Sequence, residues 1–211
     1  MKLLREKKLA IFSFGRSDFG ILKELIIELN KNLKVDLIAS GAHNSKVFGN
    51  TINEIREHKL NFYKILIHYG SNVKNNTAKI FNDVSSKTYN FLKKKNYSHV
   101  IILGDRYEAL ATALTCFNLG IKIIHIGGGS ITEGSLDQIY RNAISQLSKI
   151  HLVETKFHKK QLFKMNIKKN VFVTGSLSLD GINRKKLVDK EVFQKKLRIS
   201  FLKKKKIFIV V

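Results

Sequence analysis

The stretch HIGGGSITEGSLDQIYR, residues 125–141, decides the fold. It follows directly on an apolar run, IKIIHI (121–126), and passes through three glycines into a pattern with helical spacing. A buried strand, a glycine turn and a helix N-terminus in succession present backbone N–H groups to an anion, which is chemistry for a phosphate or a nucleotide sugar. Gly127, Gly128 and Gly129 spell neither GxGxxG nor a P-loop, so the turn takes its meaning from what surrounds it.

Around it lies a series of strand–turn–helix units. LAIFSF (9–14) runs into GRSDFG, after which Ile21, Leu22, Leu25, Ile26 and Leu29 recur at helical spacing. VDLIAS (35–40) ends in a Gly–Ala–His turn, and FYKILIHY (62–69) precedes a polar loop and a helical stretch at 77–94. HVIILGD (99–105) leads into Ala109, Leu110, Ala113, Leu114 and Phe117, while IHLVET (150–155) and NVFVTG (170–175) continue the alternation. Apolar runs without a polar alternation predict strands buried on both faces, hence a doubly wound, Rossmann-like α/β fold with a parallel sheet. Ligands of such sheets bind outside the carboxyl ends of the strands, where GRSD, GAHNS, GDR and HIGGGS all fall.

These residues carry a family resemblance. GRSDFGIL is similar to the GTRADYG turn of the UDP-N-acetylglucosamine 2-epimerases, above all the hydrolysing branch of sialic and legionaminic acid synthesis. GAHNSKVFGNTINEI (41–55) resembles that branch's GxHLSxxFGxTxxEI, and GDRYEALATAL (104–114) its GDRxExLAxAxAA. HIGGGSITEGSLDQIYRNAISQLSKIHLVET parallels HIEGGExTEGxxDDxIRHAITKLSHxHF, and VFVTGSLSLDGI (171–182) is similar to VxxTGxPxLD. Five blocks in order over residues 9–182 imply the first half of a glycosyltransferase-B type fold, with a UDP-sugar substrate held between two Rossmann-like halves. The expected division is therefore 1–182 as the N-terminal domain and 183–211 as a linker helix (185–200) and the first strand, IFIVV (207–211), of a second. The family's second-half residues, a catalytic His among them, have no counterpart here, which implies a truncated product or a partner that completes the cleft.

The reaction implied by the resemblance removes the C2 proton, expels UDP and adds water, yielding the C2-epimeric amino sugar. Such a site needs carboxylates at the sugar and cations or N–H groups at the pyrophosphate. The resemblance gives Asp105, Asp137 and Glu133 as catalytic candidates, and Arg16, His43, Ser45, Gly128, Gly129 and Arg141 as substrate-binding ones. It departs at three places: Gly127 stands for the Glu of HIE, Ser130 for the Glu of GGE, and Asn142 for the His of RHA. The missing glutamates remove candidate proton-transfer groups. Each remaining residue also has a plainer reading. Asp105 and Asp18 suit helix N-caps. Asp137 and Arg141, four apart on a helix, can pair with each other. His43 and His125 suit hydrogen-bonded structural roles. Ser13, Ser40 and Ser130 show no companion base in the sequence, which speaks against a nucleophilic serine.

Lys and Arg number 39 against 16 acidic residues, a formal charge of +23. Of the 39, 32 are Lys spread along the whole chain, whereas groove readers favour Arg forks interleaved with aromatics. A solvated lysine-rich surface is expected, with no nucleic acid partner. The single cysteine, Cys116, fits a reducing cytoplasm, and no CxxC or His/Cys spacing points to a metal. No cofactor is expected. No apolar run approaches the length of a membrane span, so no membrane partner is expected either. The apolar surface left by a missing second half predicts self-association into a homo-oligomer.

Overall fold

In the computed structural model, residues 8–45, 48–69 and 76–180 are described. The expected helix at 185–200 and strand at 207–211 lie outside them. The chain divides into compact units Met1–Ser178, which holds the sheet, and Leu179–Val211.

Seven parallel strands form one sheet in the order β3-β2-β1-β4-β5-β6-β7. They are β1 (Lys8–Ser13), β2 (Val35–Ala39), β3 (Phe62–Lys64), β4 (Tyr97–Leu103), β5 (Lys122–Ile126), β6 (Ile150–Val153) and β7 (Val171–Val173). The helices between them are α1 (Arg16–Asn30), α2 (Ile52–Glu57), α3 (Thr77–Leu92), α4 (Tyr107–Asn118), α5 (Leu136–Leu147) and α6 (Lys156–Lys164). From β1 at mid-sheet the chain winds outward to β3, and it returns over α3 to place β4 on the other side of β1. At that reversal the loops after β1 and β4 leave in opposite directions, the place at the carboxyl ends where sheets of this kind bind their ligands.

The apolar runs lack alternation because both faces are covered. In β4, Val100 and Ile102 pack with Phe12, Phe14, Ile80, Val84, Ala109, Ala113 and Ile144 of one layer. Ile101 between them joins Ile11, Phe19, Leu22, Ile26, Leu37 and Ile55 of the other. Cys116 is fully buried in the first layer, where desolvation pushes its thiol up to about 12, so it serves as a small apolar filler.

One expected strand is shorter. Residues 62–69 give only β3 of Phe62–Lys64, since β2 ends at Ala39 and the last ladder bond runs from Ile65 N–H to the Ala39 carbonyl at 3.0 Å. Beyond it Ile65, Ile67 and Tyr69 still turn into the core while Leu66 is exposed. On the α1 side, a cavity of about 310 Å³ lies toward the amino ends of the strands between Leu25, Leu29, Leu33, Ile101, Ile124 and Leu152. Its apolar walls do not suit an anionic ligand.

Candidate active site at the carboxyl ends of the strands

The loop leaving β5 differs from the expectation. The helix begins at Leu136, capped by the Ser135 hydroxyl, which accepts the Asp137 N–H at 3.1 Å. Residues 127–135 therefore form a loop, and the glycines do not head the helix. Gly127 carries φ +87° and donates its N–H to the Leu152 carbonyl at 3.2 Å, so that N–H is not presented to a ligand. Gly128 and Gly129 serve close packing: a Cβ on Gly129 would sit 2.2 Å from the His158 carbonyl oxygen, and one on Gly128 would sit 2.9 Å from Ser145 Oγ.

Arg141 holds this loop in place. Its guanidinium is buried and ion-paired with Asp105 at the end of β4. Nη1 also donates to the Ser130 carbonyl at 3.1 Å and the Thr132 hydroxyl at 2.9 Å. The expected pairing with Asp137 does not form, because Asp105 lies on the buried side where a guanidinium needs a counter-charge, and Asp137 faces solvent. Asp105 likewise does not cap α4, whose N-cap is Arg106 with no side-chain cap bond. Glu133 lies exposed in the loop. Beneath it His125 is fully buried. The Gly104 carbonyl, 2.9 Å from Nε2, can only accept, so Nε2 carries the hydrogen and Nδ1, 3.0 Å away, accepts from the Ser145 hydroxyl. Desolvation lowers this ring to about 4, which keeps it neutral and structural, as its sequence setting suggests.

At the heads of β1 and β2 the design is different. Arg16, the first residue of α1, is exposed and meets Glu54 at 3.4 Å. Asp18 is buried, and its carboxylate accepts the Phe14 N–H at 2.9 Å, reaching back past Gly15, the N-cap residue. Burial raises its pKa against that bond and the charge of Arg106. His43 is fully buried, with Nε2 2.8 Å from the Ser13 hydroxyl and Nδ1 3.0 Å from that of Thr51. Ser13 thus does have a companion base, thirty residues away and invisible to local spacing. Both groups are sealed from solvent, so the pair ties β1 to the turn Gly41–Asn44 and is no nucleophile. Ser45 is buried, and its carbonyl accepts the N–H groups of Phe48 and Asn50.

Sequence reasoning missed a third cluster. Glu108, fully buried in the first turn of α4, accepts Arg106 Nε at 3.2 Å, Arg106 Nη2 at 3.0 Å and the Tyr69 hydroxyl at 2.7 Å. GDRYE contains the signal, an Arg and a Glu beside the aspartate. Tyr69, separated from Glu108 by 39 positions, has none. Among the described residues, no group of three or more His, Cys, Asp and Glu is arranged to hold a metal.

The sequence pattern of the UDP-N-acetylglucosamine 2-epimerase family matches residues 26–211. The chain belongs to this family. It is 32% identical over 199 residues to the GDP/UDP-N,N'-diacetylbacillosamine 2-epimerase (hydrolyzing) of Campylobacter jejuni, covering 93% of this chain and 52% of that protein. With the UDP-N,N'-diacetylbacillosamine 2-epimerase (hydrolyzing) of Legionella pneumophila it shares 30% over 209 residues, 97% of this chain and 55% of that one. The solved UDP-GlcNAc 2-epimerase of Neisseria meningitidis, bound to UDP-GlcNAc, superposes with a TM-score of 0.73 at 20% identity, over 91% of this chain and 53% of that one. The epimerase fold is thus shared, and the chain spans about half the length of the curated relatives it matches. No helix among the described residues is long and apolar enough to cross a membrane.

Proposed function

We propose that this chain is the N-terminal half of a hydrolysing UDP-N-acetylglucosamine 2-epimerase, acting on UDP-GlcNAc or a related UDP-diacetamido sugar in the cytoplasm. Residues 183–211 would lead into the second half, supplied by further chain or by a partner. The observation that carries the reading is the ion pair of Asp105 with Arg141 at the carboxyl end of β4, two residues that match the family pattern inside a chain of that family. The Oδ1 edge of Asp105 would face the sugar, Asp137 and Glu133 would contribute carboxylates from the head of α5 and the loop, and Arg16 with Arg106 would meet the pyrophosphate. His43, Ser45, Gly128 and Gly129 shape the walls from below. The base would take the C2 proton as UDP leaves C1, and water would then add to the glycal.

A second reading is favoured by Gly127, where the family pattern has a carboxylate: a half-domain that binds the nucleotide sugar without turnover. Incubation of the purified chain with UDP-GlcNAc, with and without a separately produced second half, separates the two. UDP and the C2-epimeric sugar appearing only with both halves supports the enzyme; binding without product under both conditions supports the second reading. Absence of binding under both conditions rejects both.

A further inference from the structure

We propose that Glu108 and Tyr69 are positioning residues that fix the Arg106 guanidinium to receive the pyrophosphate of a nucleotide sugar, an inference that rests on the reading above. A fully buried carboxylate is tolerated only with partners that satisfy it. Glu108 is fully buried, and it is held by Arg106 through Nε and Nη2 and by the Tyr69 hydroxyl, with the Tyr107 phenol also against the carboxylate. This side-on fork leaves Nη1 without a hydrogen bond among the described residues. Nη1 points to the head of α1, where a Cβ added to Gly15 would lie 3.7 Å from it.

Exposure of the pair is unequal. The Glu108 side chain has none, while that of Arg106 keeps 34%. An arginine present only to neutralise Glu108 and the nearby buried Asp18 gains nothing from keeping part of its side chain in solvent at the carboxyl end of β4. Burial works against the Arg106 charge, and the Glu108 carboxylate outweighs it, so the guanidinium stays cationic. Burial and the same carboxylate push the Tyr69 phenol far above its ordinary range, so it remains a donor that stops the carboxylate from rotating. A guanidinium locked in this way surrenders little rotamer freedom when it meets an oxyanion.

The test uses the full 211-residue chain. UDP, inorganic pyrophosphate and uridine are titrated calorimetrically into the native protein and into Glu108→Gln, Tyr69→Phe and Arg106→Lys, and the Arg106 Nε–H resonance is followed by NMR. In the native protein that resonance should be sharp and slow to exchange, and it should broaden in Glu108→Gln and Tyr69→Phe. All three variants should lose about tenfold in affinity for UDP and pyrophosphate, with uridine unchanged. Should Glu108→Gln fail to fold, Tyr69→Phe carries the same comparison. Equal losses for uridine and UDP make the cluster mere scaffold and overturn the proposal, as does an averaged Arg106 resonance in the native protein. Native UDP binding that the variants leave intact overturns the positioning roles alone. A sharp resonance without binding of any of the three compounds, whether or not the second half is added, overturns the nucleotide-sugar reading, and the assigned purpose of the clamp with it.

Discussion

The rim of the sheet is built in two ways. Over β1 and β2 a chain of neutral groups, Ser13, His43 and Thr51, holds the turn, and the cation, Arg16, stands in solvent. Over β4 and β5 the cation is buried, and Arg141 gathers Asp105, Ser130 and Thr132 onto one guanidinium. Each side also keeps one buried imidazole, His43 or His125. Both arrangements fix a loop where a ligand is expected. They differ in what breaks them: protons for the neutral chain, and loss of one side chain for the ionic hub.

Acid should have the largest effect. His43 and His125 are both held at about 4 by burial, below the ordinary 6.5. Between those values the unfolded chain binds protons that the folded one refuses. Stability is therefore full above about pH 6.5 and falls as pH drops toward 4, by about 1.4 kcal/mol per pH unit for each ring. Urea unfolding across this window checks it, and His43→Gln should remove one ring's share of the slope while His125 and the likewise buried His151 keep theirs. A flat profile would show that the rings are not buried and neutral.

Next comes Arg141→Met, which strands Asp105 and two loop acceptors and should destabilise by about 3 kcal/mol. The same change at Arg16 should stay within about 0.5 kcal/mol, since an exposed ion pair contributes little. Equal midpoints in urea for the two variants would erase the contrast between the two sides of the rim.

Gly129→Ala should cost about 2 kcal/mol, because its φ of +79° and the His158 carbonyl both oppose a Cβ. Gly134→Ala, at φ +72° with open space around it, should cost only about 1 kcal/mol, the strain alone. Thermal melts of the pair isolate the steric part.

The smallest effect on stability is expected at Asp137→Asn. Its side chain is exposed and its N–H, which makes the cap bond, is kept, so the melting temperature should barely move. Turnover with the second half present should nevertheless fall on the order of a hundredfold if the carboxylate transfers a proton.

Most of the fold is legible in the sequence because buried parallel strands announce themselves as unbroken apolar runs, and each loop lies where the runs end. Residues 65–69 mislead because their burial continues after the ladder stops; periodicity reports burial and not hydrogen bonding. At the candidate site, the family blocks single out Asp105 and Arg141, which the fold brings together, but the assumption that neighbours on a helix pair gives Arg141 the wrong carboxylate. Burial decides that partner, and burial is a property of the assembled sheet. The same holds for Ser13 with His43 and for Tyr69 with Glu108, contacts made by crossovers that no local spacing encodes.

The backbone at Gly127 bears on how this chain can change. The family pattern has a glutamate there, yet φ of +87° is a conformation that L side chains enter only at about 1–2 kcal/mol. The single-step change Gly127→Glu is therefore uphill in folding before any gain in chemistry is realised. A turn settled in the left-handed region acts as a ratchet on drift. An added Cβ meets only the Gly104 amide at 3.9 Å, so the obstacle is backbone strain alone, and a laboratory lineage selected for turnover should acquire changes in 128–135 that ease this φ before a carboxylate appears at position 127.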